Sequence, residues 1–240
     1  MPFVASRLSV AVPQVLAVGG PALGYPERWS ITQWIDGEPP PVPTSPTWSL
    51  TARQSLAQDL ATTIRELQAV EVPDEARDDE SLSWYRGRPL SEVDGDFRES
   101  LAACRALDGL DLDLGATLRS WEGVLTGCAD DHLPTGWFHG DLLAENLLIR
   151  DGRLAAVLDF GGLALGDQAV DLIAGWELLD APTRETFREV LRVDDATWRR
   201  SAGWALFVAV VTFPYYWATM PARCASRRVM AQAVLDSGDV

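Results

Sequence analysis

The chain has no lysine: all 20 of its basic residues are arginine. Histidine and cysteine are nearly as scarce, with two and three residues in 240. Cys104, Cys128 and Cys224 are odd in number, widely separated and form no Cys-x-x-Cys pair. That pattern excludes a disulfide framework and a zinc site, and it fits a reducing, cytoplasmic setting. A metal-dependent phosphohydrolase would need more His and Asp ligands than His132 and His139 allow. Positive charge is short overall. With 35 acidic residues the net charge is −15, which makes nucleic acid and anionic membrane poor partners. Two apolar stretches have something of a membrane segment. Leu8 to Val18 is broken by Pro13-Gln14 and lacks a clean cleavage site. Ser201 to Ala222 is uncharged but holds Gly203, Pro214, Tyr215-Tyr216 and Pro221, and so reads as a buried helix. There is no internal repeat and no low-complexity tract.

The informative stretch runs from Trp137 to Leu172. Two short apolar runs, Leu147 to Ile149 and Leu154 to Leu158, flank Arg150-Asp151-Gly152-Arg153. Asp-Gly favours a two-residue type I′ turn, whose central residues both need positive φ. If Arg150 pairs with Arg153, counting outward sets Asn146 opposite Val157 and Asp159 two residues further on. Asn146 and Asp159 then project from one face. Such diagonal neighbours sit about 7–8 Å apart, a gap that one small cation with ligands at about 2.1 Å can bridge. Asp141, five residues before Asn146, lies in the loop feeding the first strand. A carboxylate there can accept or orient a hydroxyl proton while a metal holds phosphate oxygens.

Taken singly these residues are bland. An Asp-Phe-Gly usually marks a strand end, an Asn before a strand a turn, and His139 reads as a structural histidine. Taken in order, His139-Gly140-Asp141-Leu142, Asn146, Asp159-Phe160-Gly161 and Gly166-Asp167-Gln168-Ala169-Val170-Asp171-Leu172 resemble the aminoglycoside phosphotransferase family. These are kinase-like small-molecule phosphotransferases. The resemblance implies an α+β, protein-kinase-like fold with a mostly helical lobe carrying the catalytic hairpin. It implies ATP (or GTP) and Mg²⁺, with Asp141 as catalytic residue and Asn146 and Asp159 as metal ligands. The acceptor would be a hydroxylated small molecule, an antibiotic or a metabolite. Asp171 would bond catalytic-loop backbone. The family's hinge falls on the segment ending Trp34-Ile35-Asp36-Gly37-Glu38, so Gln33 would offer its carbonyl and Ile35 its amide to the base.

Elsewhere, Val10–Val18 and Arg28–Ile35 read as strands around a Gly- and Pro-rich turn. Gly19 and Gly24 have phosphate-loop spacing, but Tyr25-Pro26 stands where Lys-Ser/Thr is required. Thr51 to Gln54 has a capping-box pattern before Leu56, Leu60, Ile64 and Leu67. Asp74 to Glu80 reads as an acidic loop, and helices are expected at Glu92–Leu107 and Leu114–Ala129. Pro182 suits a first helical turn, with Phe187, Val190 and Leu191 as its buried face, and Asp195 a cap. Val229, Met230 and Ala233 mark a last amphipathic helix. Arg86-Gly87-Arg88-Pro89-Leu90 resembles a recurrent family segment without an evident role.

The resemblance also implies what is missing. The family's small lobe carries a glycine-rich loop and a lysine that pairs with phosphates, and this chain has neither. Arginine, a bulkier planar fork, is no simple substitute. Residues 1–38 therefore read as a remnant of the small lobe plus hinge, and 39–240 as the helical lobe. Two outcomes stand side by side. One is a phosphotransferase slowed or silenced by a truncated small lobe; the other is a catalytically degenerate kinase-like binding module.

Overall fold

The structure, a computed structural model, describes residues 2–43, 45, 48–128, 133 and 135–238. A one-turn helix α1 (Pro2–Ala5) precedes the hairpin β1 (Val15–Gly19) and β2 (Trp29–Thr32). Helices α2 (Leu50–Gln68), α3 (Asp74–Arg77), α4 (Asp94–Cys104) and α5 (Leu114–Gly127) follow. Then come β3 (Thr135–Phe138), the pair β4 (Leu147–Arg150) and β5 (Arg153–Val157), and β6 (Ala164–Asp167). The chain closes on α6 (Ile173–Leu178), α7 (Ala181–Leu191), α8 (Asp195–Tyr216) and α9 (Pro221–Ser237).

The uncharged run after Arg200 forms the core of α8. Residues Ser201 to Val210 are all buried, so the helix shows no polar face and is wrapped by α4, α5 and α9. Among the described residues no helix is long and apolar enough to cross a membrane. The cap of α8 is Asp194, whose side chain accepts from the Thr197 N–H at 2.7 Å; Asp195 is the first helical residue instead. In the same way α2 is capped by Ser49, accepting from Ala52 at 3.1 Å, and not by Thr51. Each shift follows from the third-residue reach of a cap side chain, which two candidates one or two residues apart satisfy equally on paper. Pro182 does sit in the first turn of α7, behind Asp180 as cap. The expected helix from Glu92 begins later, because a 3₁₀ turn takes Leu90–Val93. The acidic stretch from Asp74 folds into α3 and a 3₁₀ turn, not a plain loop. Ala129 and His132 lie outside the described residues.

The Asp-Gly turn forms as expected. Asp151 has φ 53° and Gly152 φ 74°, and Arg150 pairs with Arg153. The register beyond it differs. Ile149 pairs with Leu154 but Leu148 with Ala156, so Ala155 is bulged and Leu147, not Asn146, stands opposite Val157. The cause is a neighbour on the outer edge of β5. Ala11 pairs parallel with Ala156, donating to the Ala155 carbonyl (3.1 Å) and accepting from the Val157 N–H (3.0 Å). On the other side Glu38 exchanges both backbone bonds with Ile149 (2.7 and 3.0 Å). The hairpin is thus clasped between the N-terminal segment and the stretch after β2.

Behind it, β3 and β6 pair antiparallel, Phe138 opposite Ala164. Strand β6 is tied to α8 by Arg200, whose Nε donates to Asp167 at 2.9 Å with both side chains at 5% exposure or less. Removing one partner of such a pair costs about 3–5 kcal/mol, since a buried charge is left behind. On its other flank β6 meets the segment before α4 backbone to backbone. A Cβ on Gly166 would lie 2.4 Å from the Gly87 carbonyl oxygen. Gly166→Ala should therefore cost about 1–3 kcal/mol of stability, as overpacking against an unyielding neighbour does. Urea unfolding of the variant checks this; an unchanged midpoint would show that the approach is not constraining.

Candidate active site

Strand β3 delivers His139, Gly140 and Asp141 to the end of the hairpin. Gly140 has φ +79°, and a Cβ there would lie 2.2 Å from the Trp84 ring, so glycine is the residue that fits. His139 is buried and structural, as its context suggested. Its Nδ1 accepts the Asp141 N–H (3.2 Å), which leaves Nε2–H to donate to the Leu158 carbonyl (2.9 Å). Burial pushes its pKa down, keeping the ring neutral.

Asp171 anchors the loop. One carboxylate oxygen accepts the His139 N–H (2.8 Å), the other the Gly140 N–H (2.7 Å), and the side chain is fully buried. Burial pushes this carboxyl up to about 7, against the pull of the two N–H donors. At the far end of the loop Asn146 sits in a 3₁₀ turn (Ala144–Asn146) just before β4. Its Nδ2 donates to both the backbone carbonyl and Oδ2 of Asp141, at 2.9 Å each. That spends the amide's nitrogen and leaves its oxygen for another partner.

Asp159 is reached differently than pleat counting implies. With Ala155 bulged, the Asn146 carbonyl accepts from Leu158 (2.8 Å), and the ladder ends there. Asp159 then turns the chain with φ 54°, ψ 66°, its Oδ1 capping Gly161 (3.3 Å). The alternation of a regular strand therefore does not govern its direction. Asp159 lines a cavity of about 690 Å³ with Gln33, Ile35, Leu148 and Phe160, between the hairpin and the β2 exit. Asn146 and Asp141 are not among that cavity's lining residues. The Gln33 N–H is spent on Gln14 (2.7 Å).

One site residue had no assigned role in the sequence. Arg86 donates to the Gly140 carbonyl (2.8 Å) and forms an ion pair with Asp141 Oδ1, its guanidinium 4.9 Å from the Trp84 ring. Burial works against its charge, but Tyr85 and Asp141 outweigh that and raise its pKa. Arg86 and Asp141 are 55 residues apart, and no local pattern announces the pair. Among the described residues no cluster of three or more His, Cys, Asp or Glu is placed to hold a metal. Magnesium needs no such cage, since one or two protein oxygens plus phosphates and water complete its shell. The unspent Asn146 oxygen and the Asp159 carboxylate fit that requirement.

The folded Asp171 carboxyl ionises near 7, whereas an unfolded one does so near 3.8. The folded state holds this proton more tightly, so the group's stability contribution is full below 3.8 and lost as pH rises through 7. Asp171→Asn cannot ionise and should cost more at about pH 5.5 than at about pH 8, by on the order of 1 kcal/mol. Urea unfolding at both values checks this; a penalty constant with pH, or growing with it, contradicts the assignment.

Solved structures share this architecture. The chain is similar to the ADP-bound aminoglycoside phosphotransferase APH(2″)-Ib, with TM-score 0.59 and 18% identity over 95% of this chain and 78% of that one. It is similar to the macrolide 2′-phosphotransferase MphH from Brachybacterium faecium, with TM-score 0.56 and 22% identity over 97% and 76%. It is similar to APH(2″)-IIa in its gentamicin complex, with TM-score 0.60 and 18% identity over 98% and 79%. At these identities the likeness shows the fold, which is kinase-like and α+β as the motifs implied. No curated protein matches the chain. The family model described as the phosphotransferase enzyme family matches residues 1–204, and the chain belongs to that family.

Proposed function

We propose that this phosphotransferase moves the γ-phosphoryl group of ATP or GTP to a hydroxyl of a small molecule. The observation that carries the reading is the shared cavity: Gln33, Ile35 and Asp159 line one space of about 690 Å³ at the open end of the catalytic hairpin. Its other lining residues are mostly apolar, among them Val15, Leu148 and Leu158, which suits a purine face. The Gln33 carbonyl and Ile35 N–H take the base edge. Residues 1–38 act as small lobe and hinge, and 39–240 as the helical lobe. Solved relatives bound to ADP and to GDP support a nucleotide of either base. Complexes with streptomycin, gentamicin and kanamycin support a small hydroxylated acceptor.

When bound, Mg²⁺ neutralises phosphate charge, with Asn146 Oδ1 and Asp159 as its protein ligands. Asp141 accepts the acceptor's hydroxyl proton, or orients that hydroxyl for in-line attack. Asn146 Nδ2 on one carboxylate oxygen and Arg86 on the other hold Asp141 in place before substrate arrives. Positioning of this kind supplies most of the catalysis in phosphoryl transfer.

One observation favours a second reading, a binding module without turnover. Among the described residues the lining of the cavity contains no arginine, and the chain contains no lysine, so no arginine or lysine side chain described there meets the phosphates. A single assay separates the two: radiolabelled ATP and GTP with Mg²⁺ over a panel of hydroxylated compounds. The phosphotransferase reading predicts a labelled product that Asp141→Asn reduces by about 10²-fold or more. Calorimetric nucleotide affinity should stay within about twofold, since Asp141 does not hold the nucleotide. Asp159→Asn should remove the Mg²⁺-dependent part of that affinity, and unchanged affinity would contradict its role. Magnesium-dependent binding with no product from any acceptor would select the binding module.

A further inference from the structure

Two buried carboxylates on the segment after β6 hold the two ends of the loop from His139 to Asn146. Asp171 takes the His139 and Gly140 N–H groups. Further along, Glu177 of α6 takes the Ala144 N–H at 2.9 Å. Glu177 is 2% exposed, and its other oxygen forms an ion pair with the equally buried Arg227 of α9. Arg227 in turn reaches Glu145 at 2.6 Å. Ala144 and Glu145 are the first two residues of the 3₁₀ turn that ends in Asn146. Helices α6 and α9 thus grip that turn twice, by a backbone donor and by a side chain.

Stability alone does not account for this arrangement. Arg227 Nε is buried with no acceptor among the described residues. Burial pulls the guanidinium's pKa down, against the opposing pull of Glu145 and Asp141. A buried ion pair with an orphan donor gains little over apolar side chains of similar volume. What it supplies is direction. The Asn146 N–H donates to the Leu143 carbonyl at 2.9 Å, and its Nδ2 donates to Asp141. A rotation of the turn therefore moves the Asn146 oxygen and the contact to Asp141 together. Groups that orient a metal ligand in this way change metal affinity by about 10–100-fold when they are lost.

We propose that Glu177 and Arg227 are positioning residues that aim the Asn146 side chain at the metal, acting through Ala144 and Glu145. The proposal rests on the phosphotransferase reading for the metal, but its first readout needs neither metal nor nucleotide. Glu177→Leu/Arg227→Met removes both buried charges together, so neither is left unpaired, and a cooperative thermal transition verifies the fold. Hydrogen exchange resolved to single amides should show Ala144 and Asn146 losing about tenfold or more of their protection, as loss of a bond to a charged group implies. His139 and Gly140, held by Asp171, should keep theirs. Calorimetry should show Mg²⁺-dependent ADP affinity falling by about tenfold or more, with metal-free ADP affinity unchanged within about twofold. Glu145→Gln leaves the buried pair intact and should move the same readouts in the same direction, which keeps the test decisive if the double variant does not fold. Unchanged exchange at Ala144 and Asn146, equal loss at all four amides, or a loosened turn with unaltered Mg²⁺ dependence would overturn the proposal. Selective loosening of the turn, with Mg²⁺ leaving ADP affinity unchanged even in the parent chain, would uphold the brace and count against the metal reading instead.

Discussion

Everything at the site depends on one buried carboxylate holding two consecutive backbone N–H groups. Asp171 accepts from His139 and Gly140, and that bidentate grip sets the path of the chain into Asp141. A fully buried acid is costly by itself, which is why its carboxyl is pushed up to about 7. The cost is offset only while both N–H groups stay aimed at it. The loop is therefore held from behind by the segment that follows β6. His139 adds a second tie, to the carbonyl of Leu158 next to Asp159. Loop and hairpin end are thus clamped through backbone groups.

The loop from His139 to Asn146 is braced from a third direction by α9. Arg227 joins Glu177 of α6 to Glu145 of the loop, and Glu177 also accepts the Ala144 N–H at 2.9 Å. A buried ion-pair network is weak evidence for net stability, but breaking it leaves an unpaired charge, so it specifies one arrangement of the turn that carries Asn146. The absence of lysine and the abundance of arginine acquire a structural sense here. A planar, multidentate guanidinium suits the Arg200–Asp167 pair, where Nε and Nη2 meet the two carboxylate oxygens.

Much of this was legible in the sequence. The Asp-Gly turn, the structural His139, the loop-bonding Asp171 and the buried α8 all follow from local pattern plus family motif. Other features were not. The Ala155 bulge depends on Ala11 pairing with β5 from 145 residues away, and period-2 counting has no access to such a neighbour. The caps moved by one or two residues because adjacent Ser, Thr and Asp residues satisfy the same rule. Arg86 went unassigned because a guanidinium's partner is a matter of tertiary geometry. The signal that points to it is the Trp84-Tyr85 pair before it, an aromatic platform for a cation.

The central claim is that the loop anchored by Asp171 and the end of the hairpin jointly hold one metal–nucleotide complex. Crystals grown with ADP and Mn²⁺ test it most directly, since anomalous scattering locates the ion without reference to the protein. The account predicts one ion with Asn146 Oδ1 and an Asp159 oxygen both at about 2.1 Å, and the base between Gln33 and Ile35. An ion bound elsewhere, or held by Asp159 with Asn146 turned away, would contradict it.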